Sequence, residues 1–379
     1  MFDKVLIANR GAIAVRIERT LKKMGIKSVA VYSEADKDSL HVTNADEAVY
    51  LGDGSAKETY LDVEKVIGAA VKTNAQAVHP GYGFLSENTE FANACEEKGI
   101  KFIGPTPEQI NLFGLKHSAR ELASKANVPL LAGTGLLTGV DEALEAAEKI
   151  GYPVMLKSTA GGGGIGIRIC ENEKELADSY DNVCHLAESN FNDAGVFVEK
   201  YIRKARHVEV QIFGNAFGEV TAIGERDCSV QRRNQKVVEE SPAPNLSDSV
   251  RKEMYQAAES LARAASYRNA GTVEFLYDEE QEKFYFLEVN TRLQVEHGIT
   301  EEVMGVDLVE WMVKEAAGEL KDLKKKVGKP NGHAIEVRVY AEDCINNFRP
   351  ASGKIDDVEF SDIARVETWI KKNIVVSPL

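Results

Sequence analysis

The chain has 379 residues, 28% of them charged and 44% hydrophobic, which is typical of a globular protein of two or three domains. Its formal net charge of −14 argues against a nucleic-acid-binding surface, because such a surface needs a basic footprint. There is no signal-peptide pattern, no apolar run of membrane-spanning length and no CxxC spacing among the five cysteines, which predicts a cytoplasmic protein that contacts no membrane.

Residues 1–105 alternate between strand and helix patterns. Such alternation predicts a parallel sheet with helices on its faces. The turn ANRGAIA after the first strand has one glycine where a dinucleotide fingerprint needs three, so plain strand-to-helix geometry is predicted there. The predicted strands are 4–9, 27–33, 76–80 and 101–105, and the predicted helices include 14–25 and 87–99.

The middle of the chain holds a glycine-dense loop. Helical patterns at 118–127 and 140–150 precede YPVMLKSTAGGGGIGIRIC (152–170), in which the loop separates two strand-like runs. Its glycines let backbone N–H groups approach a polyphosphate, although a flexible hairpin tip would look the same. Lys157 and Lys116 are candidate phosphate ligands, and each one alone also fits an ordinary exposed side chain.

Longer β-patterns follow residue 203. The predicted hairpins are 207–214 with 219–227, around the turn NAFG, and 271–278 with 283–290. Helices are predicted at 247–266 and 306–317, a charged connector at 321–332, and a further strand at 334–343.

The stretch FLEVNTRLQVEHG (286–298) carries a row of polar side chains. As a strand it would put alternate residues on one face, namely Glu288, Asn290, Arg292, Gln294 and Glu296. In the last hairpin Glu274 falls opposite Glu288, and like charges there are destabilising unless a proton or a cation intervenes. With Asn290 these carboxylates form an all-oxygen set that suits Mg²⁺ or Mn²⁺ rather than zinc. A solvated sheet face with scattered charges is the alternative.

Several motifs occur in one fixed order along the chain, namely HPGYGFLSEN (79–88), STAGGGGIG (158–166), EKY (199–201), RHVEVQ (206–211), ERDCSVQRRNQKVVEE (225–240) and FLEVNTRLQVEH (286–297). In this order and spacing they resemble the biotin carboxylases of the ATP-grasp superfamily over essentially the whole chain. The variants GLKHSA (114–119), STAGGGGIG, QRRNQK (231–236) and DLVEWMV (307–313) are most similar to the biotin carboxylase part of urea carboxylases and urea amidolyases, including guanidine-type carboxylases.

This resemblance implies an α/β fold in three parts. An N-terminal doubly wound parallel-sheet domain at 1–112 would precede an ATP-grasp domain at 113–320, whose mobile glycine-rich lid lies at about 131–203. Residues 330–379 would begin a β-rich C-terminal subdomain, which is expected to be incomplete because family members continue further.

The resemblance also implies the site residues. Those expected to bind ATP are Lys116, Lys157, Gly162, Gly163, Gly164, Glu199, Lys200, Ile202, His207, Gln231, Asn234 and Leu276. The expected ligands of Mg²⁺ or Mn²⁺ are Glu274, Glu288 and Asn290. The residues expected to bind bicarbonate or biotin are Tyr82, Lys236, Arg292, Gln294, Val295, Glu296 and Arg338, of which Glu296, Arg292, Lys236 and Arg338 would be catalytic.

The implied reaction is the ATP-dependent carboxylation of biotin. Glu296 would deprotonate bicarbonate, which attacks ATP to give carboxyphosphate and ADP. Arg338 would stabilise the enolate-like oxygen of biotin. No Met-Lys-Met acceptor occurs among the six methionines, so biotin is expected on a separate carrier domain or protein, together with a carboxyltransferase. A homodimer is a further expectation from the family.

Two residues depart from the family pattern, and three interpretations stay open. Asn234 stands where many members have histidine, and Gly298 follows His297 where proline is usual. The alternatives are another ATP-grasp carboxylate ligase, the biotin carboxylase of an acyl-CoA or pyruvate carboxylase, and an ATP-binding fragment that is inactive through truncation. The sequence does not identify the final carboxyl acceptor.

Overall fold

A computed structural model describes residues 1–158, 166–191 and 195–377 of the chain. The first domain contains β1 (Lys4–Ile7), α1 (Gly11–Lys23), β2 (Lys27–Ser33), α2 (Leu40–Asn44), β3 (Glu47–Gly52), α3 (Val63–Thr73), β4 (Ala77–His79), α4 (Thr89–Glu97), β5 (Lys101–Phe102) and α5 (Pro107–Gly114), with 3₁₀ turns at Glu34–Asp36 and Ala56–Glu58. The five strands form a parallel sheet in the order β3-β2-β1-β4-β5, which confirms the predicted parallel sheet.

The first strand supplies apolar side chains to both faces of this sheet. Leu6 and Ala8 lie in one core, which α3 and α4 cover, while Val5 and Ile7 lie in a second core with α1. Helices on both faces make the sheet doubly wound, as predicted. The sequence pattern missed β3, because this edge strand exposes most of its side chains and shows no continuous apolar run.

A small three-stranded unit follows the first domain. Before it, α6 (Lys116–Lys125) packs into the core of the large sheet described below; the unit itself contains α7 (Val140–Ile150), β6 (Val154–Ser158), β7 (Ile167–Cys170), α8 (Glu173–Phe191) and β8 (Val196–Lys200). The strands pair antiparallel in the order β7-β6-β8. The two strand-like runs predicted on either side of the glycine-dense loop are the strands β6 and β7, whereas residues 159–165 of that loop lie outside the described residues.

The largest sheet has six strands and carries the polar row. Its region contains β9 (Ala205–Gly214), β10 (Val220–Arg232), β11 (Gln235–Ser241), α9 (Asp248–Ala264), β12 (Asn269–Asp278), β13 (Lys283–Asn290), α10 (His297–Met304), α11 (Leu308–Ala316), α12 (Leu323–Lys326) and β14 (Ala334–Val337). The order is β13-β12-β9-β10-β11-β14. Val208 and Val210 pack in a core with α9, while Glu209 and Gln211 alternate onto the opposite face and are fully buried. The polar face is therefore an interior surface and not a solvated one.

Two predicted strands end earlier than the sequence pattern indicates. β13 ends at Asn290, because the backbone N–H of Thr291 donates to Glu87 Oε1 (3.1 Å) of the first domain and not to β12. β14 ends at Val337, with one further hydrogen bond from the backbone N–H of Arg338 to Val237 O (3.0 Å). The prediction of continuous strands over 286–298 and 334–343 is wrong to this extent.

The last part of the chain is built from short ladders. β15 (Glu342–Asp343) pairs with β16 (Arg349–Pro350), and β17 (Gly353–Lys354) pairs with β18 (Val375–Val376). None of the five cysteines, all of them described residues, forms a disulfide. Among the described residues, none of the helices combines the length and the apolar character that crossing a lipid bilayer requires.

Candidate active site

Lys236 is the centre of the polar face. Its ammonium nitrogen lies 2.6 Å from Glu209 Oε2, 2.9 Å from Glu274 Oε1 and 2.8 Å from Glu296 Oε1, so each of its three N–H groups has a carboxylate acceptor. Burial alone would lower the pKa of Lys236, but the three carboxylates outweigh burial and raise it. A cation is thus fixed between strands β9, β11 and β12 and the segment before α10.

Glu274 is held by groups from both neighbouring strands. His207 Nε2 on β9 lies 2.6 Å from Glu274 Oε2, and His207 Nδ1 lies 3.1 Å from Gln231 Nε2. Burial opposes the ionised form of Glu274, but His207 and Lys236 lower its pKa to about 2. The structure therefore brings His207 and Gln231 together, as expected for two residues assigned to one part of the ATP site.

The predicted register of the last hairpin is confirmed, with Glu274 directly opposite Glu288. Burial and the charge of Glu274 raise the pKa of Glu288, and among the described residues Glu288 has no hydrogen bond or ion pair. Asn290 Nδ2 donates to Glu274 Oε1 (2.8 Å). A carboxylate without a partner beside a second carboxylate and an amide oxygen fits a Mg²⁺ site, because the cation would remove the repulsion between the two. Lys116 at the start of α6 lies near enough to act on Glu288 electrostatically.

Arg292 organises the segment that follows β13. Its guanidinium donates to Glu87 Oε2 (2.8 Å), to Gln294 Oε1 (2.9 Å) and to Asn290 Oδ1 (3.0 Å). Gln294 Nε2 in turn donates to Glu274 Oε1 (3.2 Å). The predicted row of side chains thus stays together although the backbone leaves the sheet, since hydrogen bonds from Arg292 replace the strand geometry.

The far end of the row is formed by Glu296 and Arg338. Arg338 Nη2 donates to Glu296 Oε2 (3.0 Å), and Arg338 Nε donates to Glu239 Oε1 (2.7 Å). Glu296 is fully buried and is held between two cations, one on each carboxylate oxygen. Burial and then the charge of Glu336 raise the pKa of Tyr82 to about 12, while the positive charge of Arg338 opposes this rise.

The residues expected at the nucleotide lie around the three-stranded unit and its junction with the large sheet. Lys157 Nζ is 2.5 Å from Glu199 Oε2, and Lys200 Nζ donates to Gly151 O (2.8 Å). Ile202 is half-buried just after β8, and Leu276 on β12 pairs with His207 on β9. Gly162, Gly163 and Gly164 lie outside the described residues, so their role stays a prediction.

Asn234 occupies the turn between β10 and β11. It has a φ of 62° and follows Arg233 with a φ of 52°, a left-handed pair typical of a type I′ hairpin turn. Asparagine tolerates this backbone conformation better than most residues. Its expected contact with the nucleotide stays a prediction.

Sequence reasoning missed two buried residues that support the site, Arg226 and Glu209. Arg226 is fully buried and donates to Glu209 Oε1 (2.5 Å), Gln211 Oε1 (2.8 Å) and Thr300 Oγ1 (2.8 Å). Burial opposes the charged form of Glu209, but Arg226 and Lys236 lower its pKa. The available signal was strand alternation, which places Glu209 on the same face as His207.

Comparison with known proteins gives consistent matches. A family model described as the N-terminal domain of biotin carboxylase matches residues 1–110, and one described as the ATP-binding domain of the carbamoyl-phosphate synthase L chain matches residues 116–324. Over 378 residues the chain is 57% identical to a urea amidolyase of Saccharomyces cerevisiae, and the match covers 100% of this chain and 21% of that protein. The chain thus spans about a fifth of the length of this relative.

Solved structures agree over the whole chain. The biotin carboxylase domain dimer of a Hydrogenobacter thermophilus 2-oxoglutarate carboxylase, in complex with MgADP, ADP and bicarbonate, has a TM-score of 0.89 and 44% identity, over 100% of this chain and 84% of that one. The urea carboxylase of Kluyveromyces lactis has a TM-score of 0.79 and 46% identity, over 100% of this chain and 27% of that one.

Proposed function

The chain belongs to the biotin carboxylase family, and we propose that it catalyses the ATP-dependent carboxylation of biotin by bicarbonate as one part of a urea-carboxylase-type enzyme. The observation that carries this proposal is the position of Glu296, buried and held between Lys236 and Arg338. A base between two cations suits an anionic substrate that must lose a proton while its negative charge is kept.

The proposed roles follow from these contacts. Lys236, Arg292, Gln294 and the backbone of Val295 bind bicarbonate, and Glu296 takes its proton, so that the oxygen formed attacks the γ-phosphate of ATP. The ammonium group of Lys236 donates to three carboxylates, and bicarbonate binds by replacing one or more of them as the acceptor. The products of this step are ADP and carboxyphosphate.

Mg²⁺ and biotin would bind along the same row of polar side chains. Glu274, Glu288 and Asn290 would hold Mg²⁺, which neutralises the phosphate charge when it is bound. Carboxyphosphate breaks down to CO₂ and phosphate, the phosphate takes the proton of the biotin ureido nitrogen, and that nitrogen forms the new bond to CO₂. Arg338 stabilises the oxygen on which charge develops, and Tyr82 borders the same end of the site.

We also propose how biotin is delivered and which compound finally accepts the carboxyl group. Biotin would arrive on a carrier domain or a separate protein, and a carboxyltransferase would pass the carboxyl group to urea or a related compound. The identity to a urea amidolyase supports this choice of acceptor. We also propose a cytoplasmic location, which five cysteines without a disulfide support, and homodimerisation, which the dimeric relative supports.

The test is ADP release from Mg-ATP, measured with and without bicarbonate and free biotin. Release that requires bicarbonate and that biotin increases is the expected result. A release that a different carboxylic acid stimulates in place of bicarbonate would favour another ATP-grasp ligase. ATP binding without any turnover would contradict the proposed activity of this chain and leave a nucleotide-binding fragment.

A further inference from the structure

His297 is buried next to the proposed base, and its contacts define its tautomer. It is the first residue of α10, and its Nδ1 lies 2.8 Å from Gln294 O and 3.2 Å from Val295 O. A carbonyl oxygen only accepts hydrogen bonds, so Nδ1 must carry the proton. Burial lowers the pKa of His297, which keeps the ring neutral and leaves Nε2 as an acceptor.

His79, in the HPGYG segment, has the opposite tautomer. It ends β4, and its Nδ1 accepts the backbone N–H of Gly81 at 3.0 Å. Because this nitrogen must offer a lone pair, the proton of the neutral ring sits on Nε2. Burial, together with Arg16 and His297, lowers the pKa of His79 to about 3.

Arg16 completes a group of three buried polar atoms. Among the described residues, Arg16 Nε, His79 Nε2 and His297 Nε2 have no hydrogen-bond partner. The side chains lie close enough that Arg16 acts on the pKa of both histidines and His297 acts on that of His79. Two of the atoms are donors and one is an acceptor, and Arg16 Nε lies 3.8 Å from Glu367 Oε1. Leaving such groups without partners would be costly.

We propose that His297 is a positioning residue for the turn 294–296, which it holds through the hydrogen bond that its Nδ1–H donates to Gln294 O. The hydrogen bond on one ring nitrogen decides which tautomer the other presents. The opposite tautomer would aim a lone pair at Gln294 O and release the turn. The catalytic meaning of this inference rests on the proposed function, because residues 294–296 are the proposed bicarbonate site.

The two tautomers are tested by ¹⁵N NMR of the imidazole nitrogens in the 379-residue chain at neutral pH. His297→Asn assigns one ring, and His79→Phe assigns the other. The expected spectrum shows Nδ1–H for His297 and Nε2–H for His79. A charged ring or an Nε2–H tautomer at His297 would overturn the proposal.

The positioning role is tested by kinetics with a conservative and a truncating variant. The amide nitrogen of His297→Asn can take the place of Nδ1 as a donor, whereas His297→Ala has no donor. We expect His297→Ala to raise the KM for bicarbonate about 10- to 100-fold without changing the KM for ATP, and His297→Asn to restore it to within about threefold. Equal losses in two folded variants would contradict the proposal. If the wild-type chain has no bicarbonate-dependent ADP release, the proposed function is contradicted. The tautomer of His297 measured by NMR then still tests whether its Nδ1–H binds Gln294 O.

Discussion

The ammonium nitrogen of Lys236 lies 2.8 Å from Glu296 Oε1, although 60 residues separate them in the chain. The other oxygen of Glu296 accepts from Arg338 Nη2 at 3.0 Å. Glu296 is therefore pre-oriented on both sides before any substrate binds. This arrangement supports its proposed role as the base and makes its replacement the first prediction.

Glu296→Gln should reduce bicarbonate-dependent ADP release about 10²- to 10⁴-fold, because the amide keeps the shape of the side chain but cannot take a proton. The affinity for ATP should stay unchanged in an equilibrium binding measurement. The matched control is Glu253→Gln, an exposed position on α9. Normal turnover in Glu296→Gln would rule out the base assignment.

Arg338→Gln should spare ATP binding and remove biotin carboxylation. The side chain bonds Glu296 and Glu239 at the end of the row, and a neutral amide cannot stabilise a developing negative charge in the same way. Loss of one such group typically costs about 10²- to 10³-fold in rate. Carboxylation of free biotin is the measurement, with exposed Arg349→Gln as the control. Unchanged carboxylation in Arg338→Gln would show that this role is wrong.

Arg226→Met should destabilise the fold by about 3–5 kcal/mol, because it leaves Glu209 buried with one cation fewer. Urea denaturation measures the free energy of unfolding. Arg263→Met, which removes an ion pair from the half-exposed surface of α9, is the control and should cost at most about 1 kcal/mol. Similar costs for both variants would show that the buried cluster adds little stability.

Glu18 makes the stability depend on pH. It is 5% exposed, its two carboxylate oxygens have no hydrogen-bond partner among the described residues, and burial together with Asp46 raises its pKa to about 8. The folded state therefore keeps a proton that the unfolded chain loses near pH 4.5. This contribution to stability is complete below that pH and is lost as the pH rises towards 8.

Glu18→Gln removes this titration. Its stability relative to the wild type should increase between pH 5 and 8 by on the order of 2–4 kcal/mol, measured by urea denaturation at both values. Glu97→Gln replaces an exposed glutamate of α4 and should show no such trend. A constant difference for Glu18→Gln across this range would contradict the raised pKa.

Gly298→Ala should stabilise α10 by about 0.5–1 kcal/mol. A Cβ at this position would meet Glu336 Oε2 at 3.6 Å and Arg365 Cζ at 3.7 Å, which are ordinary contacts. Gly81→Ala is the matched contrast, since its φ is 66° and its Cβ would lie 2.9 Å from Asn9 Nδ2, so a loss is expected. Thermal unfolding distinguishes the two. A lower midpoint for Gly298→Ala would indicate that glycine is required there.

Local patterns in the sequence predicted much of the fold. The alternation of β1 and its neighbours with helices gave the parallel sheet, and the alternation within β12 and β13 gave the pairing of Glu274 with Glu288. These features depend on residues close together in the chain, because strand and helix periods are local properties of the backbone. The quoted motifs likewise gave the family.

Only the tertiary structure decided where the polar row ends and what balances its charges. Thr291 leaves the sheet because Glu87, 204 residues away, accepts its backbone N–H. Arg226 on β10 donates hydrogen bonds to Glu209 on β9 and to Thr300 on α10. Such contacts depend on how distant segments pack, so no local period predicts them. The sequence by itself determined which side chains carry the chemistry, and the packing of separate strands decided their partners, since the charge of a buried group is set by what surrounds it.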